Sequence, residues 1–143
     1  MTVDNPYDLE RFVGAQDLAA TYADVVGELR RGRKTGHWMW FVFPQIAGLG
    51  RSATSRYYAI SSLEEARAYL AHPILGPRLV ECSTIVAASE ATSASEVFGE
   101  LDTQKLRSSM TLFLRAARDE PVFRQVLDRY FAGLTDPATE ARL

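Results

Sequence analysis

The sequence holds one cysteine, Cys82, so no disulfide forms within the chain. Without a pairing framework, a disulfide-stapled secreted scaffold is excluded, and a reducing compartment, the cytoplasm, is the expected location. There are two histidines, His37 and His72, and neither shares a ligand spacing with other Cys or His residues. A zinc site is therefore set aside, and no metal or cofactor is expected. No apolar run reaches the roughly 18 residues that a membrane-crossing helix needs. The stretch Met1 to Glu10 carries three acidic residues and no apolar block, unlike a secretory signal. Cations do not outnumber anions: 16 Lys and Arg stand against 18 Asp and Glu, for a net charge of −2. General nucleic-acid binding needs a clear cationic excess, so nucleic acid ranks last among partners. A Gly-x-Ser-x-Gly elbow is missing too, as are internal repeats and dividing linkers.

What remains is an ordinary globular balance, with 47% hydrophobic and 24% charged residues among 143. A chain of this length buries roughly 70% of its unfolded surface, enough for one core. The reading is a single domain over residues 1–143.

Helical periodicity dominates. Leu18, Tyr22, Val25, Val26 and Leu29 share one helical face, with Asp17 as cap and Gly32 as terminator. Ser62 and Glu65 form a capping-box pattern for a second helix that ends at His72-Pro73. A third runs from about Ile74 to Ser89, with Leu75, Leu79, Cys82 and Val86 as its stripe and Pro77 in its first turn. A fourth follows Asp102, with Leu106, Met110, Phe113, Leu114 and Ala117 in phase. A fifth starts at Asp119 and Pro121 and closes at Gly133. The tail from Thr135 is ambiguous.

The run Trp38-Met39-Trp40-Phe41-Val42-Phe43 does not reveal its own period. No second strong strand is present to pair with it, and a lone strand leaves backbone groups unsatisfied. A buried helix ended by Pro44 is the preferred reading. The expected fold class is all-α, with about five main helices plus short helical segments.

Four stretches could carry chemistry. Both tryptophans and His37 fall within four residues. Trp38 and Trp40 read either as core aromatics or as a wall for a planar ligand, with His37 and Gln45 as polar contacts. Gly48-Leu49-Gly50-Arg51-Ser52 reads either as a plain turn or as an anion-binding nest. It is neither a Walker loop nor a dinucleotide fingerprint. In Asp102 to Thr111, Asp102, Lys105 and Ser108 lie near one helical line. Asp102 there reads as a cap, or as a carboxylate beside an anion-binding helix start. Ser108, Ser109 and Thr111 are poor helix-interior residues whose presence needs a reason. The fourth group, Arg30, Arg31, Arg33 and Lys34, complements a helix C-terminus or reaches a phosphate. Cys82, on an apolar stripe, reads as core.

Lys34-x-x-His37-Trp38-Met39-Trp40-Phe41-x-Phe43-Pro44-Gln45-x-x-Gly48-Leu49-Gly50-x-Ser52 resembles the signature of the family catalogued as domain of unknown function 1810. Phe98-Gly99-x-x-Asp102-x-x-Lys105-x-x-Ser108-x-Met110-Thr111-Leu112-Phe113 is similar to a second part of that signature. So are Arg11-Phe12-x-x-Ala15-Gln16 and Glu65-Ala66-x-x-Tyr69-Leu70. The resemblance covers nearly the whole chain. It implies a mainly helical fold and supplies no activity. Some members bear the label calpastatin, which a compact, repeat-free chain does not support. There is a fainter likeness to small helical N-glycosidase-like proteins acting on ADP-ribose or phosphoribosylated bases, and no residue role carries over from it.

The leading expectation is a site for a small phosphorylated or nucleotide-like ligand. In it Trp38 and Trp40 wall a ring, Lys34, Arg51 and Lys105 hold anionic groups, and Gln45, Ser52 and Ser108 orient them. For an N-glycosidase or ADP-ribose-type hydrolysis, Asp102 would activate water, with His37 as the other base. The alternative is a protein-interaction module or homo-oligomer without a small-molecule site. Whether the 45–52 loop and the start of the 102–118 helix meet around a common pocket is the observation that bears most on the choice.

Overall fold

The computed structural model describes residues 6–143; residues 1–5 of the acidic N-terminal stretch lie outside it. The described residues form an all-α protein of nine helices, with one isolated parallel bridge between Ile46 and Ile60.

Helix α1 (Glu10–Asp17) buries Phe12, Val13 and Gln16. Helix α2 (Thr21–Arg30) buries Val25, Glu28 and Leu29. The stripe read from Leu18 therefore spans a turn. Asp17 closes α1 instead of capping α2, Ala19 turns the chain at φ 50°, and Leu18 is 71% exposed. At the far end Gly32 terminates α2 as expected, with φ 72°. The Arg33 and Gly32 N–H groups donate to the Glu28 and Leu29 carbonyls, both at 3.0 Å, a Schellman closure.

The run at 37–43 is helical for one turn, α3 (Met39–Val42), and Phe43 and Pro44 end it. Helix α4 (Ala53–Tyr57) follows, inside an excursion that the Ile46–Ile60 bridge closes. Ser62 caps α5 (Leu63–Ala71), its Oγ accepting from the Glu65 N–H at 3.1 Å. The Glu65 carboxylate reaches one residue further back than a capping box predicts, to the Ser61 N–H at 2.8 Å, and it also takes Arg11 at 3.1 Å. His72 ends α5 and also starts α6 (Leu75–Ala88), where its Nδ1 accepts from the Ile74 and Leu75 N–H groups.

Helix α7 (Ala94–Ala116) is longer than the periodicity implied. Its cap is Ser93, not Asp102, and it breaks at Gly99 with φ 76° and ψ 167°, a conformation that essentially only glycine tolerates. The helix restarts at residue 100, so Asp102 sits in the first turn of the second half. Helix α8 (Val122–Phe131) buries Val122, Phe123, Val126 and Leu127. Asp119 does not cap it; Pro121 holds that position, and the Glu120 carboxylate accepts from the Val122 N–H at 3.1 Å. The tail forms α9 (Pro137–Glu140), capped by Asp136.

The second half of α7 is the central element. It packs against α5, α8 and α9, while α6 lies against α2, α5 and α8. Leu106, Met110, Leu112 and Phe113 are fully buried, and the Phe113 ring contacts both Tyr69 and Phe123. With neighbours on several sides, this half has no solvent face from 108 to 114. The 31–62 connection contributes Trp38, Met39, Val42, Phe43, Ile46 and Ile60 to this core, and its 34–40 segment meets the Gly99 break.

Candidate functional site

The geometry of that meeting place begins at a buried carboxylate. Glu28 stands one helical step from Val25, on the inner face of α2. Its Oε1 accepts three hydrogen bonds, from the Thr35 N–H at 2.6 Å, the Gly36 N–H at 2.8 Å and the Trp38 indole at 3.0 Å. Burial pushes this carboxyl up, but the Gly36, Thr35 and Trp38 donors outweigh it and hold it below the ordinary range. Glu28 thereby fixes the path of the chain from Thr35 to Trp38.

Lys34 precedes that turn. Its backbone N–H donates to the Val97 carbonyl at 2.8 Å, tying it to the first half of α7. Its ammonium donates to the Gly36 carbonyl, pairs with Asp102 Oδ2 at 2.8 Å and stands 4.9 Å from the Trp38 ring centre. The Lys34 side chain is 8% exposed, so these contacts consume it. Lys105 approaches from the next turn of α7, 3.2 Å from Asp102 Oδ1 and 5.2 Å from the Trp40 ring centre. Its side chain is 27% exposed, and Asp102 is the one hydrogen-bond partner it has among the described residues. Burial raises the Asp102 carboxyl, yet the two ammonium groups, Lys34 first, more than reverse that and keep it below the ordinary range. Asp102 is thus an ionised clamp and a weak proton acceptor.

Beside this clamp opens a cleft of about 560 Å³. Met39, Trp40, Phe98 and Leu101 make its apolar lining, and Lys34, His37, Glu100, Asp102 and Lys105 its polar one. The formal charges cancel, two ammonium groups against two carboxylates, so directed donors and not a long-range field would select a ligand here. His37 is exposed and hydrogen-bonded to no described residue. A smaller, more enclosed hollow of about 120 Å³ shares Trp40 with it and is lined by Gln45, Ile46, Ala47, Gly48, Gly50, Ser55, Arg56, Tyr58 and Ala59.

The fold thus brings Lys34, His37, Trp40, Asp102 and Lys105 around one cleft and puts Gln45 in a second, so the 45–52 loop and the start of the 102–118 helix line separate hollows that share Trp40 and do not meet at one pocket. Four candidate residues fall elsewhere. Trp38 is 3% exposed and bonded to Glu28, so it is core and not a ligand wall. Ser52 caps α4, accepting from the Ser55 N–H at 3.1 Å, and Arg51 is exposed outside both hollows. Ser108 is turned into the fold, where its Oγ donates to Asp136 Oδ2 at 2.8 Å. The expected line of Asp102, Lys105 and Ser108 fails because six residues carry a helix well past one and a half turns, onto the face that α9 covers. Sequence reasoning missed Glu28, Phe98, Gly99, Glu100 and Leu101. Phe98 and Gly99 stood in the family-like signature without a site role, and Glu28 left a signal of its own, a carboxylate at an in-phase apolar position.

Fold and cleft together define an all-α protein with two solvent-open depressions that share one lining tryptophan, Trp40. The chain belongs to the family described as protein of unknown function DUF1810, which matches residues 6–143. It is similar to the crystal structure of the conserved hypothetical protein Rv1873 from Mycobacterium tuberculosis, with 54% identity, 97% of this chain and 98% of that chain covered, and a TM-score of 0.94. No curated protein matches the chain. Among the described residues no helix is long and apolar enough to cross a membrane, and no cluster of metal-ligating side chains occurs.

Proposed function

We propose that this protein binds a small phosphorylated or nucleotide-like molecule in the cleft between the 34–40 segment and the restart of α7. The observation that carries this reading is Lys105. Its ammonium is oriented by Asp102 and Trp40, yet its remaining N–H donors lack protein acceptors and border the cleft. An ammonium has three donors, and an incoming phosphate oxygen would use those left over. The helix restart at residue 100 adds its positive end. Glu100, exposed on the same rim, suits the hydroxyl groups of a sugar, which a purely cationic site would not address.

If hydrolysis of an N-glycosidic or ADP-ribose-type bond follows binding, His37 is the better base. Asp102 is neutralised by two lysines, whereas His37 is unengaged at the rim. Cys82 takes no part: it is buried, and burial pushes its thiol up to about 12, as for an unreactive structural cysteine.

The test is a thermal-shift screen with ADP-ribose, NAD and nucleotides on the wild type and Lys105→Ala. A stabilising compound should lose its effect in the variant. Equal stabilisation of both proteins would remove the site from consideration.

One observation favours a second reading, a docking surface for a protein. Leu101, on the rim of the same cleft, is 82% exposed. Light scattering across a concentration series tests self-association; a dimer lost in Leu101→Ser would support this reading over the first.

A further inference from the structure

The smaller hollow contains polar groups that the fold leaves unused. Trp38 and Tyr69 find partners inside the protein, the indole with Glu28 and the phenol with Gln16 at 3.3 Å. By contrast, the Trp40 indole N–H, the Gln45 carboxamide and the Tyr58 hydroxyl make no hydrogen bond with any described residue. All three are half-buried and line the same hollow. Half-buried polar tips of this kind depend on water or on a ligand for their bonds.

Their chemistry is specific. A carboxamide presents a donor and an acceptor in one plane, the complement of a heterocycle edge bearing a ring nitrogen or carbonyl beside an N–H. An indole offers a flat face on which such a ring stacks. The hollow, about 120 Å³, is below the roughly 300 Å³ at which whole small-molecule sites begin, so it admits one ring-sized fragment. The adjoining cleft, about 560 Å³, is large enough for the rest of a molecule. Trp40 lines both.

Building on the cleft reading above, we propose that the ligand is a nucleotide bound in two parts: its heterocycle sits against Trp40, Gln45 and Tyr58, and its sugar phosphate extends past Trp40 to Lys105. Arg56, exposed at the edge of the hollow, is the competing cation, so the phosphate position is itself under test.

The experiment is isothermal titration calorimetry of the wild type, Gln45→Ala, Tyr58→Phe and Lys105→Ala. The probes are the four common nucleoside 5′-monophosphates, the matching nucleosides and inorganic pyrophosphate. Tyr58→Phe keeps the ring that packs on Phe12 and Phe41 and removes only the hydroxyl, and circular dichroism melts confirm that each variant is folded. At least one monophosphate is expected to bind. Gln45→Ala and Tyr58→Phe should each weaken it about tenfold, or flatten the ranking of bases, without weakening pyrophosphate. Lys105→Ala should weaken monophosphate and pyrophosphate alike and leave nucleoside binding unchanged. If both hollow variants keep the wild-type affinities and base ranking while Lys105→Ala still weakens every phosphate, the two-part ligand is wrong and the anion cleft stands. A monophosphate whose affinity ignores Lys105→Ala also overturns the proposal. Absence of binding by every monophosphate overturns the two-part nucleotide, whereas the cleft reading falls only if pyrophosphate, ADP-ribose and NAD also fail to bind.

Discussion

Helix α7 meets an acidic cluster at each of two levels. Along residues 104–111 of its second half Asp136, 4% exposed, accepts from Ser108 at 2.8 Å, Thr139 Oγ1 at 2.6 Å and Gln104 at 3.3 Å, while its own N–H donates to Thr111 Oγ1 at 2.9 Å. At the restart after Gly99, Asp102 is held by two lysines at the edge of an open cleft. The first cluster is closed: neutral donors of the chain surround the carboxylate, and it docks α9. The second is open: Asp102 is satisfied, but Lys105 is not. Polar residues on one helix thus serve two ends, one knitting the fold and one facing outward, and burial separates them.

The largest effect expected is at the closed cluster. Asp136→Ala strips partners from Ser108, Thr139 and Gln104 and should cost about 3 kcal/mol in urea denaturation, given the strength of buried hydrogen bonds to charge. Ligand-induced stabilisation should persist in the folded fraction, and its selective loss would break the separation drawn above.

Glu28→Gln comes next. It keeps an acceptor but removes the charge that collects three donors, and should cost about 2 kcal/mol. The pH dependence has a definite sign. Glu28 and Asp102 both have carboxyls held below the ordinary range in the folded state. Their contribution is fully present above the unfolded values near about 4 and is lost as pH falls through the lower folded ones. Thermal melts from pH 7 downward should therefore stay level to about pH 4 and drop below it. Glu28→Gln should show a shallower drop.

Gly99→Ala is intermediate. A Cβ at residue 99 meets nothing within 4 Å, so the cost is purely that of the backbone conformation. Chemical denaturation should register about 1–2 kcal/mol. Ligand stabilisation should fall with it, since Glu100, Leu101 and Asp102 follow from that break. Lys105→Ala is the smallest in stability, under about 0.5 kcal/mol for a partly exposed pair, although the thermal-shift screen expects it to be decisive for ligand. A large loss of stability in this variant would make the open cluster as structural as the closed one.

Much of this was legible locally. Ser62 as a cap, Gly32 and Gly133 as terminators and Cys82 as core are short-range or in-phase signals, and the structure places them so. Asp102, Lys105, Lys34 and Trp40 stood out as residue types of unusual grouping. The failures have a common cause. Ser108 and Trp38 drew notice as polar or aromatic residues near a charged motif, but their partners are Asp136 and Glu28, 28 and 10 residues away. Gly99 belongs to the family-like signature, but the helix break it makes is not legible there, because one positive φ inside a helix leaves no periodic trace. Leu18 was in phase with α2 by coincidence, across a turn.

By itself the chain's order of residues determined an all-α body and the positions of five of its helices, because period, caps and stops act within a few residues of one another. Tertiary packing alone decided which polar groups ended up bonded inward and which were left facing the cleft. A side chain's hydrogen-bond partners are chosen by whichever helix arrives beside it, and that neighbour is set by the burial of the whole core.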